Sequence, residues 1–333
     1  MGMPPRFSVI IPLFNKRTYF ARTLDRLLSQ DFADFEVVIV DDESTDGSAE
    51  LVEAHPDPRV RFFRQANAGP GPARNTAAHH ARGEWLALLD ADDLWAPDHL
   101  STLDRIIRAV PDVGFVATKG LWITDEQIDP VMVMPRGGVI RRMDFFKDRV
   151  EDWIIASSIA LRRDAFLAAG GFGSFCPGED REMCIRLALE VPFALCEDPT
   201  AIYLRGNNGI MERAEREVDE DAERPITPVE TTLVRALADP RHAAHYASIQ
   251  DYLDRMKLRD ARICLYRGNH RQARAQLAAL SRPRLAQSWM YHLLAALPSS
   301  LVGWSIARYS RAKQAWITRD RPAVKHTTND FGI

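Results

Sequence analysis

Between residues 7 and 90 the chain repeats one pattern, a short apolar run followed by a stretch with helical spacing, and that alternation limits the folds open to it. Phe7–Pro12 reads as a buried strand, and Tyr19–Gln30 follows with Leu24, Leu27 and Leu28 on one helix face. Phe35–Asp41 reads as a second strand, Thr45–Ala54 as a short polar helix and Val60–Arg64 as a third strand. Pro70–Ala81 reads as a helix with its prolines near the start, where a missing N–H is harmless, and Glu84–Asp90 as a fourth strand. Such alternation predicts an α/β fold with a mostly parallel, doubly wound sheet flanked by helices.

Ligands of these sheets sit beyond the carboxyl ends of the strands. Here the strands run out at Pro12-Leu13-Phe14-Asn15, at Asp41-Asp42 and at Asp90-Ala91-Asp92-Asp93, so acidic side chains gather along one edge. Carboxylates crowded at a strand end repel one another, and a cation normally offsets that repulsion. Hard oxygen ligands with few histidines nearby favour Mg²⁺ or Mn²⁺, which would also hold a diphosphate. A capped turn leading to a helix at Pro97 explains Asp93 but not Asp90 and Asp92 together.

The remaining candidates carry weaker signals. Asp41 or Asp42 could accept hydrogen bonds from a nucleobase or a ribose, although turn chemistry with Ser44, Thr45, Asp46 and Gly47 accounts for the same residues. Arg74 begins a helix, where a cation opposes the macrodipole unless an anion such as phosphate lies nearby. Glu179 and Asp180 start a helix after Gly178, where the dipole favours an ionised carboxylate. Such a group can serve as general base toward a hydroxyl, and plain helix-start preference is the alternative.

Taken together the motifs resemble those of the family 2 glycosyltransferases, inverting enzymes of the GT-A fold. The matching segments are Ser8 to Asn15, Val38 to Gly47, Asn67-Ala68-Gly69 through Ala73-Arg74-Asn75, Gly83 to Asp93, and Gly178-Glu179-Asp180, in order across residues 8–205. The resemblance implies transfer of a sugar from a nucleotide-sugar, a UDP-sugar by analogy, to an acceptor hydroxyl. It implies that Pro12, Phe14 and Asn15 line the nucleotide site, with Asp42 on the base, Asp41 adjacent and Arg74 near the nucleotide. Asp90 and Ala91 would lie in the diphosphate region, Asp92 would be the direct metal ligand beside Asp90, and Asp93 would lie close to the donor sugar. Asp180 is the implied base, with Glu179 as second choice. Many relatives carry a His shortly after the segment resembling Ala201 to Arg205, where this chain has Gly206-Asn207-Asn208.

Downstream, residues 113–135 read as further strands, Trp153–Arg162 as an apolar run, and Gly178 as the opening of a helix to Glu190. Residues 1–210 are expected to form the catalytic domain. The acidic, proline-containing stretch 211–230, including the run Glu212 to Glu223, reads as a linker, and 231–333 as a basic helical extension. The net charge of −3 hides an asymmetry: residues 240–333 hold 16 Lys/Arg against 5 Asp/Glu, and the rest of the chain carries −14. Leu285 to Ala307 has no formal charge, carries Trp289, Tyr291 and Trp304, and is flanked by arginines. Too many polar residues interrupt it for a span, so it reads either as a segment lying in the interface of an anionic membrane or as one packed on the catalytic domain.

Composition excludes several other classes. With 46% apolar and 27% charged residues the chain is neither disordered nor polytopic. Cys176, Cys184, Cys196 and Cys264 form no CxxC pair, and Met1 to Arg6 shows no export signal, so reduced thiols and a cytoplasmic location, peripheral to the inner membrane face, are expected. The basic residues of the tail are scattered among leucines, which argues against a nucleic-acid platform. A sugar-phosphate nucleotidyltransferase would need a glycine-rich loop after the first strand, which Pro12-Leu13-Phe14-Asn15 lacks. A phosphate-accepting signalling domain would be shorter and would not need Asp90 to Asp93. The alternative that remains is a non-catalytic nucleotide- or glycan-binding protein on the same scaffold. A glycan or lipid-linked acceptor, in bacterial surface-polysaccharide or glycolipid assembly, is the expected partner of an active enzyme.

Overall fold

The computed structural model describes residues 3–53, 55–124, 128, 132, 137–205, 227–266, 268–281 and 288–296. The chain divides into two compact units, Met1–Arg216 and Glu217–Ile333, and each contains an apolar core. In the first, the elements are β1 (Phe7–Leu13), α1 (Arg17–Leu28), β2 (Phe35–Asp41), α2 (Ser48–Glu53), β3 (Val60–Arg64), α3 (Pro70–His80), β4 (Trp85–Leu88), β5 (Leu94–Trp95) and α4 (His99–Ala109). They continue with β6 (Phe115–Ile123), β7 (Ile140–Met143), β8 (Ile159–Arg162), α5 (Arg163–Ala168), α6 (Glu179–Glu190) and β9 (Phe193–Leu204).

All the strands join one sheet in the order β3-β2-β1-β4-β8-β6-β9-β5, with β7 pairing β9 outside that path. β2 is buried along its whole length and β1 at every position but Pro12. That is why their sequences read as continuous Val/Ile runs and not as an alternation. Burying each such side chain contributes about 1.5–3 kcal/mol. β1 lies between β2 and β4 and is parallel to both, and β3 continues the parallel set. Beyond β4 the sheet is mixed: β8 runs antiparallel to β4 and β6, while β6 and β9 pair in parallel along the full length of β6. The parallel ladders carry most of the pairing, as the alternation of strands and helices predicts.

Two boundaries differ from the sequence reading for local reasons. The fourth strand stops at Leu88, because the Asp90 N–H turns to the Ser157 Oγ (3.0 Å) and leaves the ladder. The helix expected from Thr45 begins at Ser48, because the Asp46 carboxylate accepts the Ser48 N–H (2.9 Å) and holds 46–48 as a turn. The apolar run before Arg162 is a 3-10 turn, Ala156–Ser158, leading into β8. In the 113–135 region the structure shows β6, and most of 125–136 lies outside the described residues.

The second unit is helical, with α7 (Pro228–Ala238), a 3-10 turn, α8 (Tyr246–Tyr266), α9 (His270–Ala278) and α10 (Ser288–Ala296). α7 opens with a capping box in which Thr227 accepts the Glu230 N–H and Glu230 accepts the Thr227 N–H. Leu258, Ala261 and Leu265 of α8 pack with Ala273 and Leu277 of α9 and Ala295 of α10. Among the described residues no helix is long and apolar enough to cross a membrane. Gly206-Asn207-Asn208, the acidic run 212–223, the linker up to residue 226 and the tail beyond 296 lie outside the described residues, as does Leu285–Ala307 except for 288–296.

Candidate active site

The register places Leu13, Asp41 and Arg64 level with one another at the carboxyl edge of β1, β2 and β3. The chain leaves β1 through Asn15, whose φ of 51° is left-handed, a conformation that asparagine tolerates better than most residues. The Asn15 Oδ1 accepts the Thr45 N–H (2.8 Å) and its own N–H donates to the Ser44 Oγ (3.0 Å). Next to it, the Lys16 N–H donates to the Ser48 Oγ and the Arg17 N–H to the Asp46 Oδ2, both at 2.9 Å. The β1–α1 and β2–α2 turns are therefore braced as one piece. Phe14, at the tip of that piece, is 43% exposed, unusual for a large aromatic beside a buried strand.

Asp41 and Asp42 are both buried, but their surroundings differ. Asp41 accepts the Ser44 N–H (3.2 Å) and lies 3.9 Å from the Arg64 Nε. Asp42 Oδ1 accepts from the Gln65 Nε2 (2.7 Å) and the Ala68 N–H (3.0 Å), and Oδ2 from the Gly69 N–H (2.8 Å). Asp42 thus shapes residues 65–69, the approach to α3.

The Asp90–Asp93 segment lies beside Ala156–Ser158, because β8 runs antiparallel to β4 with Ala160 opposite Ala87. Ser157 Oγ accepts the Asp90 N–H and donates to the Asp93 Oδ2 (2.5 Å), and the Trp95 Nε1 donates to the Ser157 carbonyl (2.6 Å). Asp93 Oδ1 is buried with no hydrogen-bond partner. Burial raises the Asp93 pKa well above the usual carboxylate range, and the charges of Asp90 and Asp92 add to the effect. Asp92 Oδ2 accepts from the Lys16 ammonium. Burial raises the Asp92 pKa too, with Lys16 working against it. Ala91, between them, is buried.

Arg74 ties this segment to α6. It is 3% exposed; its Nη2 donates to the Asp90 Oδ1 (2.5 Å) and its Nη1 to the Glu179 Oε1 (2.7 Å). Burial disfavours its charge, and Asp90 and Glu179, followed by Asp180, more than offset this, so its pKa is raised. The approach of α3 to the loop before α6 requires Gly71: a Cβ there would meet the Gly173 carbonyl oxygen at 2.2 Å. Asn75 locks the same contact, exchanging hydrogen bonds with the Phe172 backbone (2.9 and 2.8 Å). Gly178, at φ 101°, turns the chain into α6. Glu179 is buried, and burial raises its pKa against the pull of Arg74. Asp180 is half-buried, and its Oδ1 accepts the Arg181 N–H (2.7 Å).

The expected residues thus form two neighbouring groups. Arg74 joins Asp90 to Glu179, with Asp180 alongside, and Ser157 joins Asp90 to Asp93. Pro12, Phe14, Asn15, Asp41 and Asp42 cluster around the braced turns, and Lys16 bridges the groups through Asp92. Among the described residues no three His, Cys, Asp or Glu side chains converge as a ligand set.

Sequence reasoning missed Lys16 and Ser157. Lys16 had a signal: it stands at the N-cap of α1, where a cation opposes the helix dipole, the same argument that singled out Arg74. Ser157 had none, since it lies within an apolar run that gives no hint of which strand end it will face.

Residues 8–166 match the family model described as Glycosyl transferase family 2. The succinoglycan biosynthesis protein ExoO of Rhizobium meliloti (strain 1021) is 42% identical over 97 residues, 29% of this chain and 28% of that protein. The chondroitin synthase of Escherichia coli is 42% identical over 96 residues, 28% of this chain and 14% of that protein. The aligned stretches therefore span well under half of these relatives. In fold, the chain is similar to S. aureus TarS 1-349 in complex with UDP-GlcNAc, with a TM-score of 0.57 and 18% identity over 81% of this chain and 88% of that one. The mixed sheet flanked by helices is that of GT-A glycosyltransferases. Residues 8–166 therefore form a domain of glycosyl transferase family 2.

Proposed function

We propose that the chain transfers a sugar, with inversion, from a UDP-sugar to a hydroxyl of a glycan or lipid-linked acceptor in polysaccharide assembly. The observation that carries this reading is the Arg74 bridge between Asp90 and Glu179. It brings the acidic strand end and the start of α6 to one place. It also occupies Glu179, so Asp180 is the base. The naming of ExoO for succinoglycan biosynthesis and of the second relative as a chondroitin synthase supports the polysaccharide class. UDP-GlcNAc in the TarS complex supports the donor class.

In this reading the exposed ring of Phe14 stacks on the nucleobase, and the Asn15-braced turn and Asp41 hold the nucleoside. Asp42 acts through the 65–69 loop that it clamps. Asp93, with its unpartnered buried Oδ1, faces the donor sugar. Asp180 accepts the proton of the acceptor hydroxyl as that oxygen bonds to the anomeric carbon. The bond from that carbon to the diphosphate breaks on the opposite side and inverts the configuration.

Asp92 and Asp90 would hold Mn²⁺ or Mg²⁺, which supplies Lewis-acid stabilisation of the leaving diphosphate when bound. The residues fit such an ion: Asp92 is buried yet already draws a cation, and its oxygens are hard donors. Mg²⁺-type ions are commonly held by one or two carboxylates plus phosphate oxygens, so a three-carboxylate cage is not required. We assign catalysis to residues 1–210, with 211–230 as linker and 231–333 as an extension that docks on an anionic membrane at its cytoplasmic face.

Calorimetric titration with a panel of nucleoside diphosphates and nucleotide sugars, with and without Mn²⁺, tests this in wild type and Asp92→Ala. Metal-dependent binding of a uridine nucleotide that disappears in the variant supports the reading. A folded protein that binds none of them returns the chain to the non-catalytic alternative.

A further inference from the structure

Lys16 joins the braced turn to the acidic strand end. Its backbone is fixed: the N–H donates to the Ser48 Oγ, and the carbonyl accepts from the Tyr19 and Phe20 N–H groups (both 2.9 Å) at the start of α1. Its side chain is not fixed in the same way. Four methylenes carry an ammonium that can pivot among acceptors, and it lies on Asp92 with 19% of the side chain exposed. The pair forms because Asp92 is buried close to Asp90, and a buried carboxylate near a like charge takes the nearest counterion.

Resting on the donor-site reading above, we propose that Lys16 is a built-in counterion that competes with the divalent cation for Asp92. In the nucleotide-free protein the ammonium neutralises Asp92 and weakens metal binding. With a metal–nucleoside diphosphate complex bound, Asp92 would hold the metal and the Lys16 ammonium, freed from the carboxylate, would turn to the diphosphate oxygens. Metal is therefore loaded together with nucleotide. A negatively charged leaving group draws Lys16 off the carboxylate, whereas metal alone has to displace it. Apparent affinity falls in proportion to the fraction of molecules whose site is open, so a Lys16 that leaves Asp92 open in about a tenth of molecules weakens metal binding about tenfold.

The test measures Mn²⁺ binding by electron paramagnetic resonance in the full chain without nucleotide, and UDP binding by calorimetry with saturating Mn²⁺. Wild type, Lys16→Met and Lys16→Arg are compared, with thermal unfolding confirming that each is folded. Expected is a Lys16→Met protein that binds Mn²⁺ about tenfold more tightly than wild type and Mn²⁺–UDP more weakly, while Lys16→Arg keeps the wild-type order. Unchanged or weaker Mn²⁺ binding in Lys16→Met, with wild-type Mn²⁺–UDP binding intact, overturns the competition and leaves the donor site standing. Absence of Mn²⁺–UDP binding in wild type overturns the donor-site reading and this inference together. If Lys16→Met is unfolded, Lys16→Gln is measured in its place against the same two outcomes.

Discussion

Arg74 and Glu179 form an ion pair at 2.7 Å with both side chains almost wholly buried, across 105 positions of sequence. One edge of the guanidinium holds Glu179 and another holds Asp90, so the helix that starts at Glu179 is registered against the acidic strand end. The adjacent Asp180 is half-buried, and its Oδ1 accepts the Arg181 N–H (2.7 Å).

On the proposed reading that difference separates the two carboxylates in function. Asp180→Asn is expected to lower kcat by about 10²–10⁴, the usual contribution of a general base, with donor affinity and thermal stability unchanged. Glu179→Gln is expected to keep donor binding and measurable turnover but to lose about 1–3 kcal/mol of stability, the cost of disturbing a buried charged hydrogen bond. Steady-state kinetics and urea denaturation on the two variants check both statements, and equal kinetic losses would remove the assignment of Asp180.

Ser157 is expected to matter for rate without touching substrate. Its hydroxyl satisfies the Asp90 N–H and the Asp93 carboxylate together. Ser157→Ala should therefore cost about 1–3 kcal/mol by leaving buried partners unpaired. It should also raise KM for the donor more than Ser158→Ala, whose hydroxyl bonds only Ile155 backbone atoms. Equal KM values in the two variants would count against the Ser157 link.

Glu36 supplies a pH test away from the site. It accepts from Ser8 Oγ (2.7 Å), the Arg82 N–H (2.6 Å) and Arg61 Nη1 (2.9 Å), linking β1, β2, β3 and the turn before β4. Burial alone would raise its pKa; the hydrogen bonds from Arg82, Ser8 and Arg61 outweigh burial and hold it below the usual 4.5. A depressed carboxylate stabilises the fold above its unfolded pKa, and that stabilisation is lost as pH falls through the folded value. Glu36→Gln should thus be less stable than wild type near neutral pH by about 1–3 kcal/mol. The gap should narrow as pH falls below 4.5, as read from urea midpoints at several pH values.

Deleting 285–333 is expected to abolish binding to anionic liposomes and leave neutral liposomes unaffected, because the segment joins Trp289, Tyr291 and Trp304 to flanking arginines. Sedimentation of full-length and shortened protein with vesicles reads this directly. Undiminished binding by the shortened chain would remove the membrane assignment.

Much of the first unit was legible in the sequence. The runs Phe7–Pro12 and Phe35–Asp41 announce strands because both of their faces are buried, and helical spacing between them forces a crossover. The acidic segments were legible because carboxylates at a strand end have few structural explanations. Residue type and position did not separate Glu179 from Asp180, since adjacent residues at a helix start share the same dipole; the resemblance alone put Asp180 first, and that Arg74 from α3 pairs with Glu179 was not legible. Nor were the partners of Asp42 legible: Gln65, Ala68 and Gly69 donate to its carboxylate from a loop more than twenty residues downstream. A side chain's partners depend on where a distant loop returns.

The sequence by itself determined strands β1 to β4, their parallel relation and the edge at which acidic residues collect, since periodicity and local backbone preference act over a few neighbours; β5, β7 and β9 went unread. Tertiary structure decided which charges meet: Lys16 with Asp92, Arg74 with Asp90 and Glu179, and Ser157 with Asp93. Those pairings join residues 16 to 105 positions apart. Electrostatic and hydrogen-bond energies depend on separation in space, which one-dimensional spacing does not encode.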